Sequence, residues 1–185
     1  AADNLLVCFH PVTLLADGGL AEFEALVQAL GDLPASTRLW ATRPNADPGH
    51  EGLNGRLDEW AKGRNNVSIH AALGAAYLPL MARCRAVVGN SSSGLTEAPS
   101  LGIPTVDVGV RQQGRLAGET VFHCAGEAGA IRDALARAMT ADLSDAINPY
   151  GDGKTVPRIL SVLTSQPERD TLMHKRFIDI EVAGG

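Results

Sequence analysis

The chain has 185 residues, of which 45% are hydrophobic and 20% are charged, a composition typical of one globular domain rather than of a disordered or collagen-like chain. Its formal net charge of −5 disfavours a nucleic-acid binder, because neutralising the phosphates requires a basic face. No apolar run approaches the ~20 residues that cross a bilayer, and residues 1–30 lack a signal-peptide pattern. We therefore expect a soluble, cytoplasmic protein with neither nucleic acid nor a membrane as its partner.

The start of the chain and its cysteines add two expectations. The chain has no initiator Met and enters an apolar strand at Leu5, as a chain cut at a domain boundary would, so we expect a fragment. Its three cysteines, Cys8, Cys84 and Cys124, are widely spaced in apolar surroundings, which favours buried, reduced side chains over a disulfide framework or a zinc site. The histidines have no metal-binding spacing, and we predict no metal.

Short runs rich in Val and Leu alternate along the chain with segments of helical period. Six strands are predicted, at Leu5–Phe9, Thr37–Ala41, Asn66–His70, Ala86–Gly89, Thr105–Val108 and Thr120–His123. Apolar residues that recur at three- and four-residue steps predict helices over 20–30, 77–84, 131–139 and 156–163. This alternation indicates an α/β fold, a Rossmann-like parallel sheet with helices on both faces.

Two loops rich in turn-forming residues follow predicted strands. Arg43–Asn54 follows the second strand, and Gln112–Gly118 follows the fifth. The carboxyl ends of parallel strands meet at one edge of the sheet, where open α/β sheets bind their ligands. We therefore expect the functional residues in the segments that follow the strands.

The segment Gly89–Pro99 is the most informative of these. It places Ser91, Ser92 and Ser93 between an apolar strand and the start of a helix, so that hydroxyls, backbone N–H groups and the helix dipole would converge on one point. Three adjacent serines offer more donors than one carboxylate can use, which favours a diphosphate. Glu97 could then accept hydrogen bonds from the two hydroxyls of a ribose. The alternative is that the serines only cap the helix.

Four other polar side chains follow or end predicted strands. His10 follows the first strand, where it could bind phosphate, act as an acid or base, or satisfy a backbone carbonyl. Arg111 follows the fifth strand and could pair with a phosphate or a loop carboxylate, or remain solvated. His70 ends the third strand, and Asn45 lies just past the second. Because all four would meet at one sheet edge, each functional interpretation supports the others.

Six segments of the sequence together resemble a known family. They are Phe9–Thr13, Arg43–Asp47, Gly89–Gly94, Glu97–Thr105, Gly109–Arg115 and Asn148–Gly153. Their residues and their order are similar to those of the hydrolysing UDP-N-acetylglucosamine 2-epimerases that begin sialic acid synthesis. The similarity runs over nearly the whole chain, so it is far more specific than a lone glycine motif.

The resemblance implies an architecture. Members of the family have two Rossmann-like domains with the nucleotide sugar in the cleft between them, as in the GT-B glycosyltransferases, and this chain corresponds to the C-terminal domain only. Residues 1–166 would form the UDP-binding domain. Residues 167–185 would form a tail, with a helix over Glu168–Ile180, that packs toward the N-terminal domain. The implied partners are that domain, the UDP-sugar substrate and, in a homodimer, a second copy; no cofactor is implied.

The resemblance also implies a reaction and a set of site residues. In the family, UDP is eliminated from UDP-N-acetylglucosamine across C1–C2 to give a glycal, and water then adds to release N-acetylmannosamine. His10 would contact the phosphates and assist the departure of UDP. Ser91 and Ser92 would hold the diphosphate, with Ser93 beside them. Glu97 would bind the ribose hydroxyls. The residues that would line the nucleotide site are Asn45, His70 and Arg111.

Several alternatives stay open. The family often has an acidic residue within two positions after the His-Pro-Val-Thr run, where this chain has Leu14 and Leu15, and its catalytic carboxylates belong to the N-terminal domain. That domain also reads most of the sugar, so enzymes acting on UDP-diacetylbacillosamine fit the sequence equally well. A non-catalytic nucleotide-sugar binding module is a second class of function. A GT-B glycosyltransferase half is a third, although no donor or acceptor motif of that class is recognised.

Overall fold

Six parallel strands form one sheet in the computed structural model, which describes residues 3–166, 168–175 and 177–179. In chain order the strands are β1 (Asn4–Cys8), β2 (Arg38–Thr42), β3 (Val67–His70), β4 (Ala86–Gly89), β5 (Thr105–Val108) and β6 (Val121–Cys124). They lie side by side in the order β3-β2-β1-β4-β5-β6, and every neighbouring pair is parallel. The predicted fold class is confirmed, and each predicted strand agrees with the observed one to within one residue at either end.

Helices cover both faces of this sheet. They are α1 (Leu20–Gly31), α2 (His50–Ala61), α3 (Tyr77–Met81), α4 (Ser93–Thr96) and α5 (Ala128–Thr140), with 3-10 turns at Gly74–Ala76 and Ala98–Leu101. Successive residues of a strand point to opposite faces. Leu5 and Val7 of β1 therefore pack in the core with α1, α2 and α5, whereas Leu6 and Cys8 pack in the core with α3. Burial on both faces explains the continuous apolar runs of the central strands β1 and β4.

Helix α1 shows how the sequence specifies one element. Its large buried side chains are Phe23, Leu26, Val27 and Leu30, with Ala29 buried beside them. The Asp17 carboxylate accepts hydrogen bonds from the backbone N–H groups of Ala21, at 2.9 Å, and Gly19, at 3.0 Å. These bonds favour the charged carboxylate and lower the pKa of Asp17. The side chain thus satisfies N–H groups that the start of a helix leaves free.

The prediction of a loop over Arg43–Asn54 is wrong for its second half, which belongs to α2. Turn-forming residues fill the first half and end at Gly49, which has a φ of 96° directly before the helix. Leu53, Leu57 and Trp60 then follow at helical spacing and are buried. Their packing on the sheet outweighs the low helix propensity of the glycines in this helix.

The chain reverses its direction of travel across the sheet between β1 and β4. From β1 it proceeds outward to β2 and β3, and it then returns to β4 on the other side of β1. The carboxyl ends of β1 and β4 flank the crevice in which doubly wound sheets bind ligands. At this point Gly89 has a φ of 138°, and a Cβ atom on it would lie 2.0 Å from the carbonyl oxygen of Cys8. Only glycine fits so close to the neighbouring strand.

The chain divides into two units, Ala1–Tyr150 and Gly151–Gly185. The second contains α6 (Thr155–Thr164) and α7 (Arg169–Met173). Asp152, which lies just before α6, pairs with Arg158 of α6 at 2.7 Å. The helix expected over Glu168–Ile180 is the shorter α7, and Ile180 lies outside the described residues. The division of function at residues 166 and 167 stays a prediction.

The cysteines of the chain lie in or near the core. Cys8 and Cys84 are buried as predicted, whereas Cys124 is only partly buried because it ends the edge strand β6, and all three are free thiols. Among the described residues, no helix is both long enough and apolar enough to traverse a lipid bilayer.

We expect Gly89→Ala to lower the free energy of unfolding by at least about 3 kcal/mol. The added methyl group would overlap the Cys8 carbonyl, and the positive φ would strain the backbone as well. Gly55→Ala is the matched control, because a Cβ there has no atom within 4 Å, and removing a glycine from α2 should stabilise the protein by about 0.5–1 kcal/mol. Urea unfolding monitored by circular dichroism measures both changes. Equal midpoints for the two variants would contradict the close approach of the strands.

Candidate functional site

The side chain of Asn90 joins the segments that follow β1 and β4. It is fully buried, its Oδ1 accepts the backbone N–H of His10 at 2.7 Å, and its Nδ2 donates to the His10 carbonyl at 2.9 Å. The backbone N–H of Asn90 also donates to the Cys8 carbonyl at 3.0 Å. This pairing fixes His10 relative to the serine segment Ser91–Ser93.

The ring of His10 is held in one tautomer. Its Nδ1 accepts the backbone N–H of Asn45 at 3.1 Å, so the proton of the neutral ring is on Nε2. Burial lowers the pKa of His10, the positive charge of Arg111 lowers it further, and Asp47 partly opposes both effects. His10 therefore supplies a neutral N–H donor at neutral pH.

Arg111 is tied to the same place. Its Nε donates to the Pro11 carbonyl at 3.3 Å, and its Nη1 donates to the Asn90 carbonyl at 3.2 Å. Its Nη2 lies 3.8 Å from an Asp47 carboxylate oxygen. Of the interpretations that the sequence left open, pairing with a loop carboxylate is the one observed. The guanidinium thus contacts the segments after β1, β2 and β4. These contacts place its charge at the edge of the sheet where the strands have their carboxyl ends.

The three serines have different surroundings. Ser93 is buried, and its Oγ lies 2.5 Å from the Tyr77 hydroxyl and 3.1 Å from Ser91 Oγ. Ser92 occupies the N-cap position of α4 but makes no side-chain capping hydrogen bond, so the capping alternative does not describe it. Helix α4 is a single turn, and its dipole adds less to an anion site than that of a longer helix would.

Glu97 directly follows α4 on the exposed side of the serine segment. Its Oε2 accepts a hydrogen bond from Thr96 Oγ1 at 2.9 Å, and the side chain is exposed. Gly94, in the same turn, packs so tightly on β5 that a Cβ would lie 2.4 Å from Thr105 Cγ2. This packing fixes the position of the turn, and of Glu97 next to it, relative to β5.

Asn45 and His70 are placed differently from the other predicted residues. The Asn45 side chain donates to Asp47 at 2.7 Å, so its backbone N–H rather than its amide group reaches His10. His70 stacks on Trp40 with 5.8 Å between ring centroids, and its buried Nε2 has no hydrogen-bond partner among the described residues. The hydrogen-bonded cluster therefore unites His10, Asn45 and Arg111 with Asn90, which directly precedes the serine segment. His70 ends β3, which β2 and β1 separate from β4.

Two residues that organise this cluster, Asn90 and Asp47, were not predicted from the sequence. Asn90 lies within a segment that we singled out, but we assigned it no role; its signal is an amide side chain directly after a buried strand and a glycine. Asp47 was treated as part of a turn-rich loop, yet it bonds to Asn45 and faces Arg111. A loop gives no sequence periodicity from which such a contact could be derived.

A second polar cluster lies near the carboxyl ends of β5 and β6. Asp107 is buried, and its Oδ2 lies 2.7 Å from His123 Nδ1; burial raises the pKa of Asp107, and the contact with His123 partly offsets this. Glu22 of α1 fits between two glycines, since a Cβ on Gly109 would lie 2.3 Å from its carboxyl group and one on Gly126 would lie 2.4 Å from its Cγ. Among the residues that the structure describes, no group of three or more His, Cys, Asp or Glu side chains could hold a metal ion.

We expect the pKa of His10 to lie below its ordinary value of 6.5. Replacing Arg111 with Gln should raise this pKa, because a neighbouring positive charge is removed, and Asp47→Asn should lower it, because a negative charge is removed. Titration of the His10 ring signals by NMR measures each value. Arg132→Gln is the control, since Arg132 pairs with Asp32 at the far end of α1. Equal pKa values in all variants would contradict the proximity of these charges.

Comparison with known proteins identifies relatives of this chain. The sequence profile described as UDP-N-acetylglucosamine 2-epimerase matches residues 1–164. A UDP-N-acetylglucosamine 2-epimerase of Neisseria meningitidis is 29% identical over 183 residues, which cover 94% of this chain and 46% of the relative. A GDP/UDP-N,N'-diacetylbacillosamine 2-epimerase (hydrolyzing) of Campylobacter jejuni is 30% identical over 181 residues, which cover 95% and 46%. The chain thus spans about half the length of the curated relatives it matches.

Solved structures show the same fold. The UDP-GlcNAc 2-epimerase of Methanocaldococcus jannaschii superposes with a TM-score of 0.71 at 15% identity, over 89% of this chain and 46% of that one. A protein of Listeria monocytogenes described as a UDP-N-acetylglucosamine 2-epimerase superposes with a TM-score of 0.69 at 18% identity, over 98% and 49%. The match of the sequence profile over most of the chain agrees with the segments that first suggested the family, and the chain belongs to the UDP-N-acetylglucosamine 2-epimerase family.

Proposed function

We propose that this chain is the UDP-binding half of a hydrolysing UDP-N-acetylglucosamine 2-epimerase. The observation that carries the proposal is the cluster around Asn90, which brings a neutral histidine N–H, a guanidinium and a serine segment to the switch point of the sheet. Donors of this kind suit a diphosphate better than an uncharged ligand. Members of the family that were solved with UDP-GlcNAc and UDP support the same ligand class.

The serine segment would hold the diphosphate. Ser91 and Ser92 are the members that we assign to direct contact, because both are partly exposed, whereas Ser93 is buried against Tyr77. Glu97 would accept the ribose hydroxyls, since its carboxylate is exposed beside the same turn. Asn45 and His70 would line the remaining wall of the nucleotide site.

His10 and Arg111 would promote the departure of UDP. In the elimination step the bond between C1 of the sugar and the diphosphate oxygen breaks, the electron pair leaves with UDP, and the proton on C2 passes to a base. Negative charge grows on the diphosphate as the bond breaks. The Nε2–H of His10 and the Arg111 guanidinium would stabilise that charge, and they are held in place before the reaction begins.

The rest of the reaction would need a second domain of the same enzyme. That domain would supply the base for the C2 proton and the groups that direct water to the glycal, which yields N-acetylmannosamine. We further propose a homodimeric assembly and a cytoplasmic location for the complete enzyme.

The name of the Campylobacter relative supports a second candidate substrate for the enzyme that contains this chain. It is named for GDP/UDP-N,N'-diacetylbacillosamine and is as similar to this chain as the Neisseria relative is, at 30% against 29% identity. Both substrates carry the same UDP group, so the residues described above would serve either one. The choice of sugar, and with it a role in sialic acid synthesis, would be made by groups outside the cluster.

We expect the chain to bind UDP, and Glu97→Gln to remove its preference for UDP over 2'-deoxy-UDP. The neutral amide is a weaker acceptor for the ribose hydroxyls, and a hydrogen bond to a charged group contributes about 1.5–3 kcal/mol. Calorimetric titration of both nucleotides into both proteins measures the preference. Glu168→Gln, outside the first unit, is the control and should retain the preference. An intact fold that releases no heat with millimolar UDP would contradict the proposed function.

We expect the chain alone to release no UDP from UDP-N-acetylglucosamine, because the base for the C2 proton lies in the proposed second domain. The full reading frame should release UDP, and an assay coupled to UDP formation measures both. Running the assay with UDP-N,N'-diacetylbacillosamine as well identifies the preferred sugar. Rapid turnover by the chain alone would show that the base lies within these residues.

A further inference from the structure

A line of hydrogen-bonding side chains runs from the core to the serine segment. Thr42 Oγ1 donates to Cys8 Sγ at 3.3 Å. Cys8 Sγ lies 3.6 Å from the Tyr77 hydroxyl, which lies 2.5 Å from Ser93 Oγ. Ser93 Oγ in turn lies 3.1 Å from Ser91 Oγ. We call this set the hydroxyl chain; it begins between β1 and β2 and ends at the first serine of the proposed diphosphate site.

Each group in the hydroxyl chain has one proton to donate, so one donor fixes the direction of the next. Thr42 donates into the sulfur of Cys8, and burial raises the pKa of that thiol, which therefore keeps its proton. The thiol can then donate to Tyr77, and Tyr77 can donate to Ser93. This direction is favourable because the sulfur, a weak acceptor, already accepts from Thr42, and the phenolic O–H can donate to a hydroxyl oxygen instead.

The direction of the hydroxyl chain determines whether Ser91 offers a ligand its proton or its lone pairs. In this direction Ser93 donates its hydroxyl proton to Ser91 Oγ, which also accepts the backbone N–H of Ser93 at 3.4 Å. With its oxygen occupied as an acceptor, Ser91 retains its own proton for a ligand. In the opposite direction that proton would be used on Ser93, and Ser91 would present lone pairs to an anion. Hydrogen bonds that point the same way along a chain also strengthen one another.

We propose that Tyr77 and Ser93 are positioning residues that orient the hydroxyl proton of Ser91 toward the diphosphate of a bound UDP group. Neither side chain need touch the ligand. This inference rests on the proposed function, since it assigns Ser91 to the diphosphate. It also accounts for Ser93, a buried serine that its surroundings withhold from direct contact.

The test compares UDP with uridine, which lacks the diphosphate, in NMR titrations that reach millimolar ligand. Tyr77→Phe should weaken UDP binding roughly threefold to tenfold, the effect of one lost hydrogen bond, and should change uridine binding by less than about twofold. Ser93→Ala interrupts the same hydroxyl chain without altering the aromatic ring and should give the same result. Tyr150→Phe is the matched control, because this second tyrosine donates to the Leu116 carbonyl outside the hydroxyl chain, and it should bind both ligands as the parent does.

A double variant separates orientation from packing. If Tyr77 acts through Ser91, then adding Tyr77→Phe to Ser91→Ala should cause no further loss of UDP affinity. Additive losses, equal losses for UDP and uridine, or an unchanged UDP affinity in Tyr77→Phe would each overturn the inference. If Ser91→Ala weakens UDP binding while Tyr77→Phe and Ser93→Ala do not, the proposed function stands and the hydroxyl chain fails. If the parent chain binds neither ligand, both fail together.

Discussion

The two hydrogen bonds between the Asn90 side chain and the backbone of His10 are the interaction on which the site depends. The ladder between β1 and β4 ends at Cys8 and Gly89, and one buried amide extends the pairing beyond it. An amide can donate and accept at the same time, which a carboxylate or an apolar side chain cannot do. Arg111 and Gln112 then donate to the Asn90 carbonyl, at 3.2 and 2.7 Å, so the loop after β5 is anchored to the same residue.

The same arrangement explains how an acidic chain could present the proposed anion site. The excess of Asp and Glu, 21 against 16 Lys and Arg, is a property of the whole surface, whereas a diphosphate responds to the groups within a few ångströms of it. Arg111 is only 25% exposed at its side chain, so water screens its charge less than that of a surface arginine. Burial keeps His10 neutral, and a neutral donor adds hydrogen bonding without adding further repulsion beside the guanidinium.

The sequence predicted the sheet well because its information is local and periodic. Short runs rich in apolar residues marked the strands, and polar residues at the strand ends marked the edge that holds the candidate site. It did not predict α2, because Pro48 and Gly49 directly precede a helix whose own glycines weaken its signal. The roles of Asn90, Asp47 and Tyr77 could not be read from spacing, since each contacts residues distant in the chain and loops carry no period. His70 had the expected position, but its stacking on Trp40 depends on the register between β2 and β3.

The fit of Glu22 between Gly109 and Gly126 has a mechanical consequence. Its carboxyl group fills the space above the first glycine and its Cγ the space above the second, so the amino end of α1 interlocks with the segments that leave β5 and β6. Arg111 lies two residues beyond Gly109. A shift of this backbone segment would therefore press on the Glu22 side chain, so the loop that carries Arg111 is packed against the start of α1 rather than hinged freely on a glycine.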